Sequence, residues 1–125
     1  MKLSKLIDPE FQNTLKKLAA QEIPLRTAFT LRGIIKSVND ELNKYDEVRT
    51  AALNQFGDKD ADGKLILGEK NAVQINEENM KQFVAELNAL LQTEVNVGSI
   101  KLSDLGDKAS LTTSELITLD DLVTE

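Results

Sequence analysis

Apolar side chains recur at steps of three and four residues over a long central segment of the chain. No proline interrupts residues 25–56, and the spacing is that of one face of an α-helix. The stripe consists of Ala28, Leu31, Ile35, Val38, Leu42, Tyr45, Ala52 and Phe56. The pattern predicts a single helix from Leu25 to Phe56 that, at 1.5 Å per residue, would be roughly 48 Å long. Such a helix cannot bury its own stripe.

Two shorter helices are predicted from the caps at their first turns. Asp8 precedes Pro9 and an acidic residue, the arrangement of an N-cap followed by proline at the first helical position, and this helix should end near Gln21. Asn76 and two glutamates begin the other helix, which extends to Thr93. The predicted apolar faces are Phe11, Leu15, Leu18 and Ala19 in the first, and Met80, Phe83, Val84, Leu87, Leu90 and Leu91 in the second.

A last, short helix is predicted at the C-terminal end. Thr112 and Glu115 have the spacing of a capping box. The apolar face of this helix would be Leu116, Ile117, Leu119, Leu122 and Val123. Two regions between the helices favour extended structure, namely a hairpin of residues 65–67 with 72–75 and a stretch over residues 95–102.

These elements predict a mainly α (α+β) fold, in which a long helix packs antiparallel with shorter helices beside a small β-ribbon and a short C-terminal helix. The whole of residues 1–125 is expected to form a single domain. The long stripe could mark a homo-oligomeric coiled coil, an intramolecular helical hairpin or a docking surface. The covering helices, ~20 and ~26 Å long, together match the long one, which favours intramolecular packing. Two covering helices seldom hide every side of a third, so a homo-oligomer or a protein partner is also expected.

The composition excludes much catalytic chemistry. Among the 125 residues there is no histidine and no cysteine, so the Ser-His-Asp and Cys-His nucleophiles, thiol redox chemistry and ordinary structural zinc sites are all excluded. We expect no enzymatic activity, no catalytic residues and no cofactor. Apolar runs are about four residues long, far short of the ~20 needed to cross a bilayer. A soluble protein with no membrane contact is expected.

Charge is unevenly distributed along the chain. Residues 1–50 hold nine Lys/Arg and seven Asp/Glu, whereas residues 51–125 hold six and fourteen, and the net charge is −6. An acidic chain with 4% aromatic residues lacks the basic surface and stacking platforms of nucleic-acid binding, so no nucleic-acid partner is expected. Arg26, Arg32 and Lys36 could contact phosphate, and Asp120 and Asp121 could act in acid/base catalysis, but ordinary surface charge is favoured for both groups.

One segment matches a calcium-binding motif. Asp58, Asp60, Asp62 and Gly63, followed after five residues by Glu69, have the spacing of the EF-hand loop, in which these positions supply oxygen ligands and the glycine permits a sharp turn. An EF-hand also needs a helix on each side. Residues 70–76 have no apolar helical periodicity, and no second loop is present to pair with the first. An acidic turn is favoured over weak cation binding and over a true calcium site, and no metal ligands are assigned.

Several short motifs follow one another in an order that resembles a known family. They are Ile23-Pro24-Leu25, Tyr45-Asp46-Glu47-Val48-Arg49, Phe56-Gly57-Asp58 with Asp62-Gly63, Glu86-Leu87-Asn88-Ala89-Leu90-Leu91 before Thr93-Glu94-Val95, and Leu102-Ser103-Asp104-Leu105 before Leu111-Thr112. The chain resembles a family of small acidic proteins of tailed bacteriophages and prophages, catalogued as a domain of unknown function. The resemblance implies phage origin, a helical core with a small ribbon, and a variable turn at the aspartates. It supplies no catalytic residues.

Two functions are consistent with these features. The first is a non-enzymatic phage accessory protein that acts through protein–protein contacts, either in the virion or against a factor in the host cytoplasm. The second is a small calcium- or ligand-binding regulatory module built around the acidic loop Asp58–Glu69.

Overall fold

Five α-helices and two short strands follow one another along the chain, and the computed structural model describes residues 1–125. The helices are α1 (Leu3–Leu6), α2 (Pro9–Ala19), α3 (Leu25–Phe56), α4 (Glu77–Leu91) and α5 (Thr113–Thr118). The strands are β1 (Ile100–Lys101) and β2 (Val123–Thr124), and 3₁₀ turns occupy Glu69–Asn71 and Leu102–Leu105. The protein is 60% helical, with a long helix packed against shorter ones, which confirms the predicted fold class.

The helix boundaries agree with the predicted caps. The Asp8 carboxylate accepts a hydrogen bond from the backbone N–H of Glu10 at 3.0 Å, ahead of α2. The Asn76 side chain accepts one from the backbone N–H of Asn79 at 2.8 Å, ahead of α4. Each cap satisfies one of the four N–H groups that a helix leaves unpaired at its first turn. The long helix α3 has the bounds that its apolar spacing predicts.

The tertiary contacts group the chain into two units. Unit 1 comprises Met1–Leu42 and Glu94–Glu125, and unit 2 comprises Asn43–Thr93. Helix α3 contributes residues to both units. The expectation of a single domain over residues 1–125 stays a prediction.

The core of unit 1 lies between α2, α3 and the C-terminal segment. Helix α3 turns a buried face inward at Thr27, Leu31, Ile34 and Val38. The fully buried side chains are Leu6, Phe11, Leu18, Leu119 and Leu122. The buried hydroxyl of Thr27 donates a hydrogen bond of 2.6 Å to the backbone carbonyl of Asp104, so this polar group is satisfied within the core.

The C-terminal helix begins as predicted but presents a different apolar face. In its capping box the Thr112 hydroxyl accepts from the N–H of Glu115 at 3.1 Å, and the Glu115 carboxylate accepts from the N–H of Thr112 at 2.8 Å. Ile117, predicted to be on the buried face, is 66% exposed. The deepest burial comes after the helix, where Leu119 and Leu122 have no exposed surface.

The assignment of Val123 to the last helix is wrong. Helix α5 ends at Thr118, and Val123 lies in β2, which pairs in parallel with β1 through the partners Ile100 and Val123. The backbone N–H of Ile100 donates to the carbonyl of Leu122 at 2.8 Å. β-Branched residues favour extended backbone, and here the pairing with a distant segment outweighs the local helical pattern. Within the predicted extended stretch 95–102, only the two residues of β1 form a strand.

Unit 2 is built on the end of α3, α4 and the segment between them. The rings of Phe56 and Phe83 pack edge to face with centroids 6.4 Å apart, a favourable geometry for an aromatic pair. The amide of Asn79 donates to the carbonyl of Phe56 at 3.3 Å. Of the predicted hairpin of residues 65–67 with 72–75, one isolated antiparallel bridge is present, between Leu67 and Val73. A second bridge, which was not predicted, joins Lys59 to Leu65 and completes a short ribbon.

Gly57 allows the ribbon to pack against the end of α3. A Cβ atom at this position would lie 2.6 Å from the carbonyl oxygen of Leu53 and 2.7 Å from side-chain carbons of Leu65 and Val73. All three distances are shorter than a carbon atom tolerates. The residue after the last turn of α3 must therefore be glycine for steric reasons.

We expect Gly57→Ala to lower the free energy of unfolding by about 1–3 kcal/mol, because the added methyl forces the backbone and the ribbon apart. Gly33→Ala is the matched control. A Cβ at Gly33 meets nothing within 4 Å, so this change inside α3 should raise stability by up to about 1 kcal/mol. Urea denaturation of both variants measures the difference, and equal stabilities would contradict the close packing at Gly57.

Candidate protein-binding surfaces

The carboxylates of the acidic loop serve as local hydrogen-bond acceptors. Asp58 accepts from the backbone N–H and the side-chain amide of Asn76, both at 3.3 Å. Asp60 accepts from the backbone N–H groups of Asp62 and Lys64 at 2.9 and 3.0 Å, which is a turn stabilised by its own side chain. No group of three or more acidic side chains converges anywhere in the chain.

Glu69 lies where no exit helix can present it to the loop. It begins an exposed 3₁₀ turn, after which the chain pairs back on the ribbon, with the N–H of Gln74 donating to the carbonyl of Ile66 at 2.9 Å. The next helix, α4, starts only at Glu77. The segment therefore has the geometry of a turn in a ribbon, as the sequence favours, and differs from a helix-flanked calcium loop.

Ion pairs join the C-terminal segment to the N-terminal helices within unit 1. The ammonium of Lys5 lies 2.9 Å from Asp120 and 3.0 Å from Asp121, and that of Lys17 lies 2.7 Å from Glu115. The two aspartates that could have been an acid/base pair are thus both partners of one lysine.

These contacts shift the protonation equilibria of the groups involved. The hydrogen bond from Lys17, followed by that from the N–H of Thr112, lowers the pKa of Glu115. The hydrogen bond and the charge of Lys5 lower the pKa of Asp120. For Lys5 itself the largest single influence is partial burial, which lowers the pKa, but the hydrogen bonds and charges of both aspartates together outweigh it and raise the pKa above 10.5.

A groove runs between α2 and the first half of α3 within unit 1. Two adjoining depressions form it, and both are lined by Ala19 and Ile35. The apolar residues along this α2–α3 groove are Leu15, Ala19, Ile23, Ala28, Leu31, Ile35, Val38 and Leu42. The charged residues that line it are Lys16 on α2, Arg32 on α3 and Glu22 between the two helices. The groove exists because the alanines are too small to fill the space between the two helices.

The outer face of α3 carries two large apolar residues in solvent. Leu25 is 88% exposed and Phe29 is 74% exposed, whereas the other three phenylalanines of the chain are buried. The two are four positions apart, so they lie on one face of the helix. Arg32 and Lys36 continue the same face at helical spacing. This face lies opposite the buried side of α3.

The predicted apolar face of α4 is only partly covered. Phe83 is buried, but Met80 is 40% exposed and Val84 is 43% exposed, so part of the predicted apolar face lies in solvent. Leu87, Leu90 and Leu91 are half-buried. The exposed part lines an open depression together with Ile75, Glu77, Lys81, Ala85 and Asn88.

Comparison with known proteins gives no assignment: no family model, no curated protein and no solved structure matches this chain. The resemblance to the phage family therefore stays a hypothesis. None of the helices combines the length and the apolar character that crossing a membrane requires.

The apolar stripe that predicts α3 does not indicate the helix's outer face, because Leu25 and Phe29 lie outside the stripe. The signal for this face is their own spacing, since two large apolar residues four positions apart and opposite a buried face form an exposed patch. The groove gave no comparable signal, since alanines occur on both covered and open helix faces.

The ion pairs around Lys5 should make stability depend on pH at both extremes. A lowered pKa of Asp120 stabilises the fold above its ordinary value of 3.8, and this contribution is lost as pH falls through the folded-state pKa. A raised pKa of Lys5 stabilises the fold below 10.5, and this contribution is lost as pH rises through the folded-state pKa.

We therefore expect Lys5→Met to lower the melting temperature by a constant amount between about pH 5 and pH 9, with the difference from wild type shrinking outside this range. Lys101→Met is the control, because Lys101 is exposed and makes no ion pair. Thermal melts followed by circular dichroism measure both. A Lys5→Met difference that persisted unchanged below about pH 3 would contradict the pairing with Asp120.

We expect no calcium binding tighter than about millimolar at the acidic loop, because Glu69 cannot supply a bidentate ligand from the ribbon. Calorimetric titration of the full chain with CaCl₂ measures this directly. A one-to-one micromolar site that Glu69→Gln abolishes would contradict the turn assignment and favour the regulatory-module alternative.

Proposed function

We propose that this protein is a non-enzymatic accessory protein of a tailed bacteriophage that acts through protein–protein contacts, in the virion or against a host factor. The phage assignment rests on the sequence resemblance. The mode of action is supported by what the surface offers, which is apolar contact area in separate places and no cluster of acidic side chains that could hold a metal ion.

The exposure of Phe29 is the observation that carries the proposal. Burying a phenylalanine or leucine side chain stabilises a fold by about 1.5–3 kcal/mol. This stabilisation is largely absent at Leu25 and Phe29, because both side chains are exposed. Single exposed apolar residues are common on monomers, but a pair on one helix face forms a contiguous patch of the kind that marks an interaction site.

The α4 face supports the same proposal independently. Met80 and Val84 are exposed one turn apart in unit 2, beside the depression that Ile75 also lines. Methionine adapts its shape to a partner and is over-used at binding surfaces. The protein thus offers an apolar contact surface in each unit.

Site-specific photocrosslinking tests the proposal in the cell. A photoreactive phenylalanine analogue is placed at Phe29, at Met80 and, as a matched control, at Ala61, which is exposed on the ribbon turn. In bacteria that produce the phage, we expect a discrete crosslinked protein from Phe29 or Met80 and none from Ala61. Identical patterns at all three positions, or no crosslink at either apolar position, would contradict action through these surfaces.

A further inference from the structure

The two depressions of the α2–α3 groove, about 390 and 180 Å³ in volume, could take the apolar side chains on one face of a helix. Along α3 the groove extends from Ala28 to Leu42, which at 1.5 Å per residue is about 21 Å, or roughly four helical turns. Ala19 and Ala28 carry only a methyl group, so the backbone of a bound helix could approach closely. Ile23, Ile35 and Leu42 are half-buried and supply apolar surface along the groove.

The part of the chain that forms the groove carries a small positive charge. Residues 9–42 hold five Lys/Arg and four Asp/Glu, in a chain whose net charge is −6. Lys17 is paired with Glu115, and Glu22 lies 3.5 Å from Lys108. The remaining cations, Lys16, Arg26, Arg32 and Lys36, make no ion pair. Glu22 is the only anion among the residues that line the groove, and its partner Lys108 lies outside the groove.

Two of these cations lie at the groove itself, one on each helix. Lys16 lines the half of the groove towards Leu42, and Arg32 lines the half towards Ile23. A ligand in the groove would therefore meet positive charge on both sides of an apolar floor. Arginine in particular binds carboxylates through two parallel hydrogen bonds.

We infer that the α2–α3 groove binds an acidic amphipathic helix of a protein partner, with apolar side chains on Ala19, Ala28 and Ile35 and carboxylates facing Lys16 and Arg32. The inference rests on the proposed function and names the partner's chemistry. Binding of an amphipathic helix in an apolar groove is a recurring mode of peptide recognition.

Charge and shape disfavour two other occupants. A second copy could present either its own α2–α3 groove or its exposed α4 face. The first would bring like charges together, and the second offers no net charge because Glu77 and Lys81 both line it. An anionic bilayer would be attracted by the cations, but insertion needs apolar side chains that project outward, whereas the groove's apolar side chains are recessed between two helices.

The test uses the full chain and two synthetic peptides of about 16 residues, long enough for four turns. Both have leucines at helical spacing, flanked by glutamates in one and by lysines in the other. Calorimetry should show one-to-one binding of the acidic peptide, at least about tenfold tighter than binding of the basic one. The affinity should fall several-fold between about 50 and 300 mM NaCl, because partly exposed ion pairs are screened.

Variants of the chain test whether the acidic peptide binds in the α2–α3 groove. Arg32→Glu and Lys16→Glu should each weaken the acidic peptide by about tenfold, and Ala19→Leu should weaken it by filling the groove. Lys64→Glu, on the exposed ribbon turn, makes the same charge change and should leave affinity unchanged. Circular dichroism verifies that each variant is folded. Equal affinity of the wild-type chain for the two peptides would overturn the inference. The inference would also be overturned if Lys16→Glu, Arg32→Glu and Ala19→Leu all bound the acidic peptide as tightly as the wild type does.

Two further results would assign the groove to a different occupant. Self-association of the chain that Arg32→Glu abolishes would assign the groove to a second copy, and displacement of the acidic peptide by phosphatidylglycerol vesicles would assign it to a membrane. Either overturns the inference. A crosslink from Met80 together with no peptide binding would remove the groove assignment and leave the proposed function standing, so the two failures are distinguishable.

Discussion

A continuous helix of 32 residues has apolar side chains along its length and cannot bury them by itself. Each unit covers its own part of α3 by different means. In unit 1 the cover is α2 and the C-terminal segment, which enclose Leu31, Ile34 and Val38. In unit 2 the cover is α4, which meets the end of α3 through one pair of aromatic rings. The parts of the surface that stay apolar are those that these covers do not reach.

The C-terminal segment completes the core of unit 1 although it contains little regular structure. A six-residue helix and a two-residue strand would be unstable alone. They are fixed by a capping box, by ion pairs to Lys5 and Lys17, and by the complete burial of Leu119 and Leu122. Polar contacts at the rim thus orient a segment whose stability comes mainly from two leucines.

The features that the sequence predicts well are those that depend on neighbouring residues. The caps at Asp8, Asn76 and Thr112 follow from side chains within one turn of each boundary, and the bounds of α3 follow from the apolar spacing along the helix itself. Prediction from the sequence fails where contacts with distant segments determine the local structure or the burial of a side chain. Val123 has a local helical pattern but pairs with Ile100, and the exposure of Met80 depends on which elements reach α4. For the candidate surfaces, Arg26, Arg32 and Lys36 are visible in the sequence, whereas the groove beside Arg32 arises only when α2 packs on α3.

The structure of the ribbon between α3 and α4 determines which sequence changes this part of the chain can tolerate. Its two bridges are isolated, and at its tip Gly63 has a φ of 80° with open space where a side chain would be. The tip is exposed and lies outside regular strands, so it is a natural point for proteolytic nicking. The carboxylate of Asp60 holds the turn through the backbone N–H groups of Asp62 and Lys64, and the side chains of the tip take no part in these bonds. Evolution could thus vary the side chains at Ala61, Asp62 and Lys64 while Asp60 keeps the backbone of the turn in place.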